Sequence, residues 1–201
     1  MLEHANSFGM LTVEVMEALA RTIDAKDQYT KSHSQRVGMY AHMLAKRLSL
    51  PPEELEKVYF MGLLHDIGKI GIPNVIINKP LKLTEEEYSL MKAHTTVGFD
   101  ILNSIQSMPE LAQAARWHHE HLDGTGYPDG LSGDKIPFLV RIICMADCYD
   151  AMASKRCYRG YLPQDFIRKE IERNKGTQFD PDIANCMLSI IDDDVIFALH
   201  D

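Results

Sequence analysis

The sequence of 201 residues contains no run approaching the roughly 20 apolar residues that a membrane-spanning helix requires. Its N-terminus, MLEHANSFGM, also lacks the basic segment followed by an apolar one that marks a secretory signal peptide. Both absences argue against insertion into a membrane and against secretion. We therefore expect a cytoplasmic protein with no membrane partner.

Cysteine is also sparse, with four residues in the whole chain. Their spacing contains no CxxC pair, and four cysteines are too few for a disulfide framework in a chain of this length. We expect Cys144, Cys148, Cys157 and Cys186 to be buried thiols in a reducing compartment.

Basic residues are outnumbered, with 21 lysines and arginines against 29 acidic residues and a formal net charge of -8. Such a charge repels a polyanion, so broad electrostatic binding to duplex nucleic acid is not expected. A phosphate ligand would have to meet a local positive site. The nine histidines beside so many carboxylates supply many possible metal ligands.

The chain shows no strand-like alternation, internal repeat, low-complexity segment or interdomain linker. Apolar residues instead recur at helical spacing, and a capping box at Thr84 and Glu87 together with Asp180-Pro181 predicts where two helices begin. The first of these helices is expected to carry Tyr88, Met91 and later Leu102. Residues 123–137 hold four glycines and two prolines, which predicts a shaped loop. The predicted fold class is all-α, a helical bundle forming a single domain over residues 1–201.

Two clusters carry chemistry. His65-Asp66 stands at the end of a predicted helix and runs into Gly68-Lys69, but an isolated pair could equally be a helix cap and a surface ion pair. His118-His119 forms a second cluster just before the glycine-rich loop. Imidazole and carboxylate together suit iron, manganese, zinc or nickel better than calcium or magnesium.

The ordered set of motifs resembles the HD-GYP subfamily of the HD-domain phosphohydrolases, from about Asp27 to Asp182. The matching stretches are DQYTKSHSQRV from Asp27, HDIGKIGIP from His65, HTTVG from His94, HHEHLDGTGYPDGL from His118, ADCYDAMASKRCYR from Ala146 and GTQFDPDI from Gly176. The resemblance implies a helical bundle around a metal centre. It also implies hydrolysis of cyclic di-GMP, or a related cyclic dinucleotide, to the linear dinucleotide or GMP. In this chemistry paired metals neutralise the phosphodiester and convert a bridging water into hydroxide.

The resemblance implies seven metal ligands: His33, His65, Asp66, His94, His118, His119 and Asp147. It implies that one metal is held by His33, His65, Asp66 and Asp147. The other is held by His94, His118 and His119, and Asp66 bridges the two. Taken singly, each has another explanation: His33 could cap a helix, His94 could be a surface residue, and Asp147 could be a buried hydrogen-bond acceptor. The expected cofactors are two divalent ions, iron or manganese. Two metals rather than three are expected because Tyr29 stands where three-metal members carry a glutamate, although Asp27 could take the place of that glutamate.

Four further residues are expected at the substrate. Lys69 resembles a family lysine that points at the phosphate or the metal-bound water, which makes it catalytic together with Asp66. Arg156 and Arg159 lie in a basic stretch that holds the phosphates, and Tyr127 of the Gly-Tyr-Pro sequence could contact a base. Tyr127 and its loop could also contact a diguanylate cyclase domain or serve a purely structural role. A homodimer is a further possible assembly.

Two other functions remain open at this point. A general HD-domain nucleotide phosphohydrolase would need only His33, His65-Asp66 and Asp147. A non-catalytic module would bind the cyclic dinucleotide and signal without hydrolysing it.

Overall fold

The computed structural model describes residues 2–27, 32–154 and 162–194, with residues 2–9 described by their backbone only. This part of the chain is helical and contains no strand, which confirms the all-α prediction. Its helices are α1 (Leu2–Lys26), α2 (His33–Arg47), α3 (Pro52–Leu64), α4 (Asn74–Ile77), α5 (Glu85–Lys92), α6 (His94–Leu102), α7 (Glu110–Trp117), α8 (Phe138–Ala153), α9 (Gln164–Asn174) and α10 (Pro181–Asp193). Two 3₁₀ helices, Ile67–Gly71 and Gly133–Lys135, lie between them.

Helix α8 lies in the core of the bundle, with α2, α3, α7, α9 and α10 packed against it. Val140, Ile143 and Tyr149 along it have no exposed surface. Helices α2 and α3 approach closely because both present glycine at the crossing: a Cβ on Gly62 would lie 2.8 Å from the Cα of Gly38. Burial of this apolar surface is the main stabilising contribution, at roughly 25 cal/mol per Å².

The predicted helix starts are confirmed. Thr84 and Glu87 form a reciprocal capping box at α5, since the Thr84 hydroxyl accepts from the Glu87 N–H and the Glu87 carboxylate accepts from the Thr84 N–H. Asp180 caps α10 by accepting from the N–H groups of Asp182 and Ile183. These side chains satisfy backbone donors that the first turn of a helix leaves unpaired.

Two helical segments differ from the pattern in the sequence. The segment that begins at Thr84 was expected to carry Leu102 as well, but it divides at Ala93 into α5 and α6. At the division the hydroxyls of Thr95 and Thr96 donate to the carbonyls of Lys92 and Ala93, bonds that compete with regular helical pairing. Helix α9, which buries Ile167 and Ile171, was not predicted.

The glycine-rich loop of residues 123–137 is largely irregular, as expected, with one bridge between Asp123 and Ser132 and a short 3₁₀ turn. In the part of the chain that the structure describes, no helix combines the length and apolar composition needed to cross a bilayer.

Candidate metal centre

All seven predicted ligands stand on helices or at their ends. His33 is the first residue of α2 and His94 the first of α6, whereas His65-Asp66 and His118-His119 follow the last turns of α3 and α7. Asp147 lies within α8. The 3₁₀ helix after Asp66 passes close to α6, and Gly68 permits this because a Cβ there would collide with the His94 carbonyl and the backbone of Gly98. The structure therefore brings the predicted ligands together.

The first group of side chains, which we call the acidic half, surrounds one oxygen of Asp66. His33 Nε2 lies 3.5 Å from Asp66 Oδ2 and 3.3 Å from Asp147 Oδ1. His65 Nε2 lies 3.4 Å from Asp66 Oδ2 and 3.8 Å from Asp147 Oδ1. His33, His65 and Asp66 each offer a ligand atom within 4.8 Å of the others, so this group could hold a metal ion.

The second group, the imidazole half, faces the other oxygen of the same carboxylate. His94 Nε2 lies 3.5 Å and His118 Nε2 3.9 Å from Asp66 Oδ1. His94, His118 and His119 offer ligand atoms within 4.8 Å of one another and form a second candidate metal site. Asp66 thus places one carboxylate oxygen towards each half.

Hydrogen bonds fix the orientation of three of these imidazoles. The Nδ1 atoms of His65, His94 and His118 lie 2.7, 2.7 and 2.9 Å from the backbone carbonyls of Gly62, Met91 and Ala114. A carbonyl can only accept, so each Nδ1 carries the proton and each neutral ring leaves a lone pair on Nε2. Metal-binding histidines are commonly oriented in this way.

The Nε2 atoms meet without protein donors to satisfy them. His65 Nε2 is buried with no hydrogen-bond partner, and His94 Nε2 lies 3.3 Å from His118 Nε2. Two lone pairs at this separation repel each other unless a proton or a cation lies between them. The donor set therefore fits divalent ions that accept nitrogen and carboxylate ligands.

Electrostatics differ between the halves. Burial alone would lower the pKa of His33, but its bond to Asp150 and the carboxylates of Asp66 and Asp147 outweigh burial and raise the pKa to about 10. For His65, too, Asp66 and Asp147 outweigh burial and raise the pKa. An acidic half without metal thus attracts protons.

In the imidazole half, burial dominates. It lowers the pKa of His94 despite the charge of Asp66. Burial and the neighbouring imidazoles hold the pKa of His118 well below its usual value, and burial lowers the pKa of His119 to about 3. These three rings are neutral at pH 7, with lone pairs available.

Lys69 is not an ordinary solvated lysine. Its Nζ lies 2.6 Å from Asp66 Oδ2 and 3.5 Å from Asp27 Oδ2, and its side chain is mostly buried. These carboxylates outweigh burial and raise its pKa, so the ammonium is charged throughout the physiological range. Lys69 in turn helps to hold the pKa of Asp66 well below the usual carboxyl value, against the effect of burial.

Asp150 and Arg36 were missed by the sequence reasoning. Asp150 Oδ2 lies 2.7 Å from His33 Nδ1, and Arg36 donates to both oxygens of Asp150 at 2.6 and 3.0 Å. Asp150 therefore orients His33 as the carbonyls orient the other three rings. The available signal was helical spacing, since Asp150 follows Asp147 by three residues and Arg36 follows His33 by three.

The glycine-rich loop is tied to the centre through Tyr127, whose ring stacks on His119 with centroids 4.7 Å apart. Glu120 is not part of the His118-His119 metal cluster; its carboxylate accepts from the loop N–H groups of Asp129 and Leu131. Asp129 also accepts from Arg116 and Trp117. Tyr127 is thus held beside the candidate metal site, while Arg156, Arg159 and Tyr29 lie outside the described residues.

Known proteins resemble this chain in sequence. The HD domain family model matches residues 17–183. A 3'3'-cGAMP-specific phosphodiesterase of Vibrio cholerae is 40% identical over 168 residues, which are 84% of this chain and 36% of that protein. A cyclic di-GMP phosphodiesterase of Thermotoga maritima is 39% identical over 180 residues, 88% of this chain and 49% of the relative. The chain therefore spans about half, or less, of the length of these curated relatives.

Solved structures share the fold. The crystal structure of a V. cholerae cyclic GMP-AMP specific phosphodiesterase superposes with a TM-score of 0.70 at 20% identity, over 92% of this chain and 49% of that one. The HD domain of the L. monocytogenes phosphodiesterase PgpH, in complex with cyclic-di-AMP, superposes with a TM-score of 0.63 at 19% identity. The match covers 89% of this chain and 97% of that one. The family model covers most of the chain, and the motifs around the candidate site are those of the resemblance noted in the sequence. This protein belongs to the HD domain family, within its HD-GYP group.

Proposed function

We propose that this chain is a metal-dependent phosphodiesterase that hydrolyses a cyclic dinucleotide, cyclic di-GMP or a close relative. One observation carries the proposal: the two oxygens of the buried Asp66 carboxylate face two separate groups of histidines. A carboxylate can span two cations with its two oxygens, which an imidazole cannot do. The names of the relatives, which act on cyclic di-GMP and 3'3'-cGAMP, support the choice of substrate.

In this proposal the seven predicted residues are the metal ligands. Asp66 bridges the two halves, Asp147 completes the acidic half and His119 completes the imidazole half. Divalent ions held there would supply a Lewis acid for the phosphodiester and lower the pKa of a water molecule. The protein's own part is to orient the ligands and to keep Lys69 charged beside Asp66, where it can stabilise negative charge on the phosphoryl oxygens.

Arg156 and Arg159 are proposed to bind the phosphates of the substrate, since guanidinium groups suit phosphate oxygens. Tyr127 is proposed to contact the substrate beside the imidazole half, because its ring already stacks on His119. Three expectations stay predictions from the sequence: that the glycine-rich loop binds a diguanylate cyclase domain, that the protein forms a homodimer, and that it is cytoplasmic.

The metals proposed are iron or manganese, because mixed imidazole and carboxylate ligands suit these ions. The proposed number is two, matching the two groups of ligands and the tyrosine at position 29. A general nucleotide phosphohydrolase would need only the acidic half, so the buried imidazole half weighs against it. A purely binding module has no need of a complete ligand set.

The test is a product assay with purified protein prepared anaerobically. Metal-free protein and protein reconstituted with manganese or ferrous iron are each given cyclic di-GMP, 3'3'-cGAMP and a nucleoside triphosphate, and products are separated by chromatography. We expect metal-dependent appearance of the linear dinucleotide or GMP. Equal turnover by metal-free protein, hydrolysis of the triphosphate alone, or tight binding of the cyclic dinucleotide without product would refute the proposal.

A further inference from the structure

A ledge of aromatic and cationic side chains lies next to the imidazole half on the side of the glycine-rich loop. Tyr88 of α5 meets Tyr127 edge to face, with ring centroids 6.3 Å apart, and Tyr127 stacks on His119. The Nζ atom of Lys92 lies 5.1 Å from the Tyr88 ring centroid and 5.8 Å from that of Tyr127. Tyr88 and Lys92 therefore lie against Tyr127, which itself stacks on His119.

Tyr88 and Lys92 both lie outside the buried core. Helix α5 buries none of its residues, and the Tyr88 side chain is 44% exposed although it carries a large apolar ring. Among the residues that the structure describes, Lys92 forms no ion pair with a carboxylate, in a protein whose net charge is -8. An open aromatic face and a cation without an acidic partner stand together beside the candidate metal centre.

We propose that Tyr88 and Lys92 form, with Tyr127, the subsite for one base of the cyclic dinucleotide, and that Lys92 favours guanine there. This inference rests on the proposed function and adds residues that the motifs do not include. The base stacks on the open face of Tyr88, while Lys92 moves from the rings to the edge of the base. Aromatic rings accept any base, because every base has a π-face.

The preference for guanine follows from hydrogen-bonding groups. Guanine presents two adjacent acceptors, O6 and N7, whereas adenine presents N7 beside an amino donor. An ammonium group can only donate, so it matches the guanine edge and is repelled by the adenine amino group. Tyr88 thus provides affinity for a base in general, and Lys92 provides the discrimination.

Steady-state kinetics of the metal-loaded enzyme test the two roles separately. The substrates are cyclic di-GMP, cyclic di-AMP and methyl 4-nitrophenyl phosphate, a phosphodiester without a nucleobase. The variants are Tyr88→Ala, Tyr88→Phe, Lys92→Met and Lys92→Arg, with Leu90→Ala as an exposed control on the same helix. Since α5 has no buried residues, each variant should keep the helical circular dichroism of the parent.

We expect Tyr88→Ala to raise KM for both cyclic dinucleotides by about 5- to 150-fold, with kcat and the base-free diester unchanged. Tyr88→Phe keeps the aromatic ring and should raise KM far less than Tyr88→Ala, and Leu90→Ala should match the parent. Lys92→Met should reduce the ratio of kcat/KM for cyclic di-GMP over cyclic di-AMP by about tenfold, and Lys92→Arg should restore it, because arginine also donates to O6 and N7.

Four results overturn the inference. Unchanged KM in Tyr88→Ala would show that Tyr88 does not contact a base, and an unchanged ratio in Lys92→Met would show that Lys92 does not select guanine. Equal losses on the base-free diester would show that Tyr88 only supports the metal centre through Tyr127. If the parent enzyme cleaves the base-free diester but neither cyclic dinucleotide, the proposed function itself fails, and the base subsite fails with it.

Discussion

The acidic half and the imidazole half share Asp66 but create opposite electrostatic environments. Around His33 and His65, carboxylates outweigh burial and raise the histidine pKa values. Around His118 and His119, burial prevails and lowers them. A cation must therefore displace protons to enter the acidic half at neutral pH, whereas the imidazole half offers neutral ligands. In exchange, the acidic half supplies the negative charge that offsets a divalent ion.

The halves also differ in how their histidines are oriented. Three imidazoles are held by backbone carbonyls, a support that no side-chain substitution removes. His33 is held by the side chain of Asp150. The acidic half therefore contains the orienting contact that mutation can test.

Asp66→Asn should have the largest effect, because it acts on both halves. The neutral amide cannot neutralise two cations, and its nitrogen is a poor ligand. We expect a loss of turnover on the order of a thousandfold or more, with loss of metal. Elemental analysis and product assays measure both, and Asp100→Asn on the exposed surface of α6 serves as control. A folded Asp66→Asn protein with two metals and a normal rate would disprove the bridging role.

Asp150→Asn should affect the acidic half alone. It removes the charge that orients His33 and pairs with Arg36, so we expect metal affinity there to fall about 10- to 100-fold. Affinity at the imidazole half should hold, giving two separated phases in a metal titration. Asp192→Asn, which breaks an exposed ion pair with Arg168, is the matched control. Equal weakening of both phases would mean that the halves are not independent.

On the acid side, the free energy of unfolding of the metal-free protein should depend on pH because of the imidazole half. His118 has a folded pKa well below its ordinary value of 6.5, so the unfolded chain binds its proton first as the pH falls. The free energy of unfolding should therefore decrease below about pH 6.5, by up to about 1.4 kcal/mol per pH unit for this residue. Urea unfolding between pH 7 and 5 measures the slope, which His118→Gln should reduce. An unchanged slope would contradict the assignment.

On the alkaline side the sign reverses. The raised pKa of His33, about 10, means that the folded protein holds a proton that the unfolded chain has released above about pH 6.5. This stabilisation is present below pH 6.5 and is lost as the pH rises towards 10. His33→Gln should flatten the decrease in unfolding free energy between pH 7 and 10 and leave the acid side unchanged. A decrease of the same slope in this variant would show that another group is responsible.

That the seven candidate ligands come together could be predicted because they stand in short stretches that resemble family motifs, such as His65-Asp66 and His118-His119. Contacts between segments that are distant in the sequence could not be predicted from these motifs. Asp150 bonds to His33 across 117 positions, and only a three-residue offset on each helix hinted at it. The segment after Thr84, expected as one helix, divides at Ala93, where the hydroxyls of Thr95 and Thr96 donate to backbone carbonyls. Helix α9 was overlooked although Ile167 and Ile171 have helical spacing.

The most direct test of the account is a titration of metal-free protein with manganese or ferrous iron under anaerobic conditions. Bound metal per chain and hydrolysis of cyclic di-GMP are measured on the same samples. We expect the imidazole half to fill first at neutral pH, turnover to appear only as the second equivalent binds, and binding to end at two equivalents per chain. Full turnover without metal or with one equivalent, or a third equivalent required for activity, would contradict it.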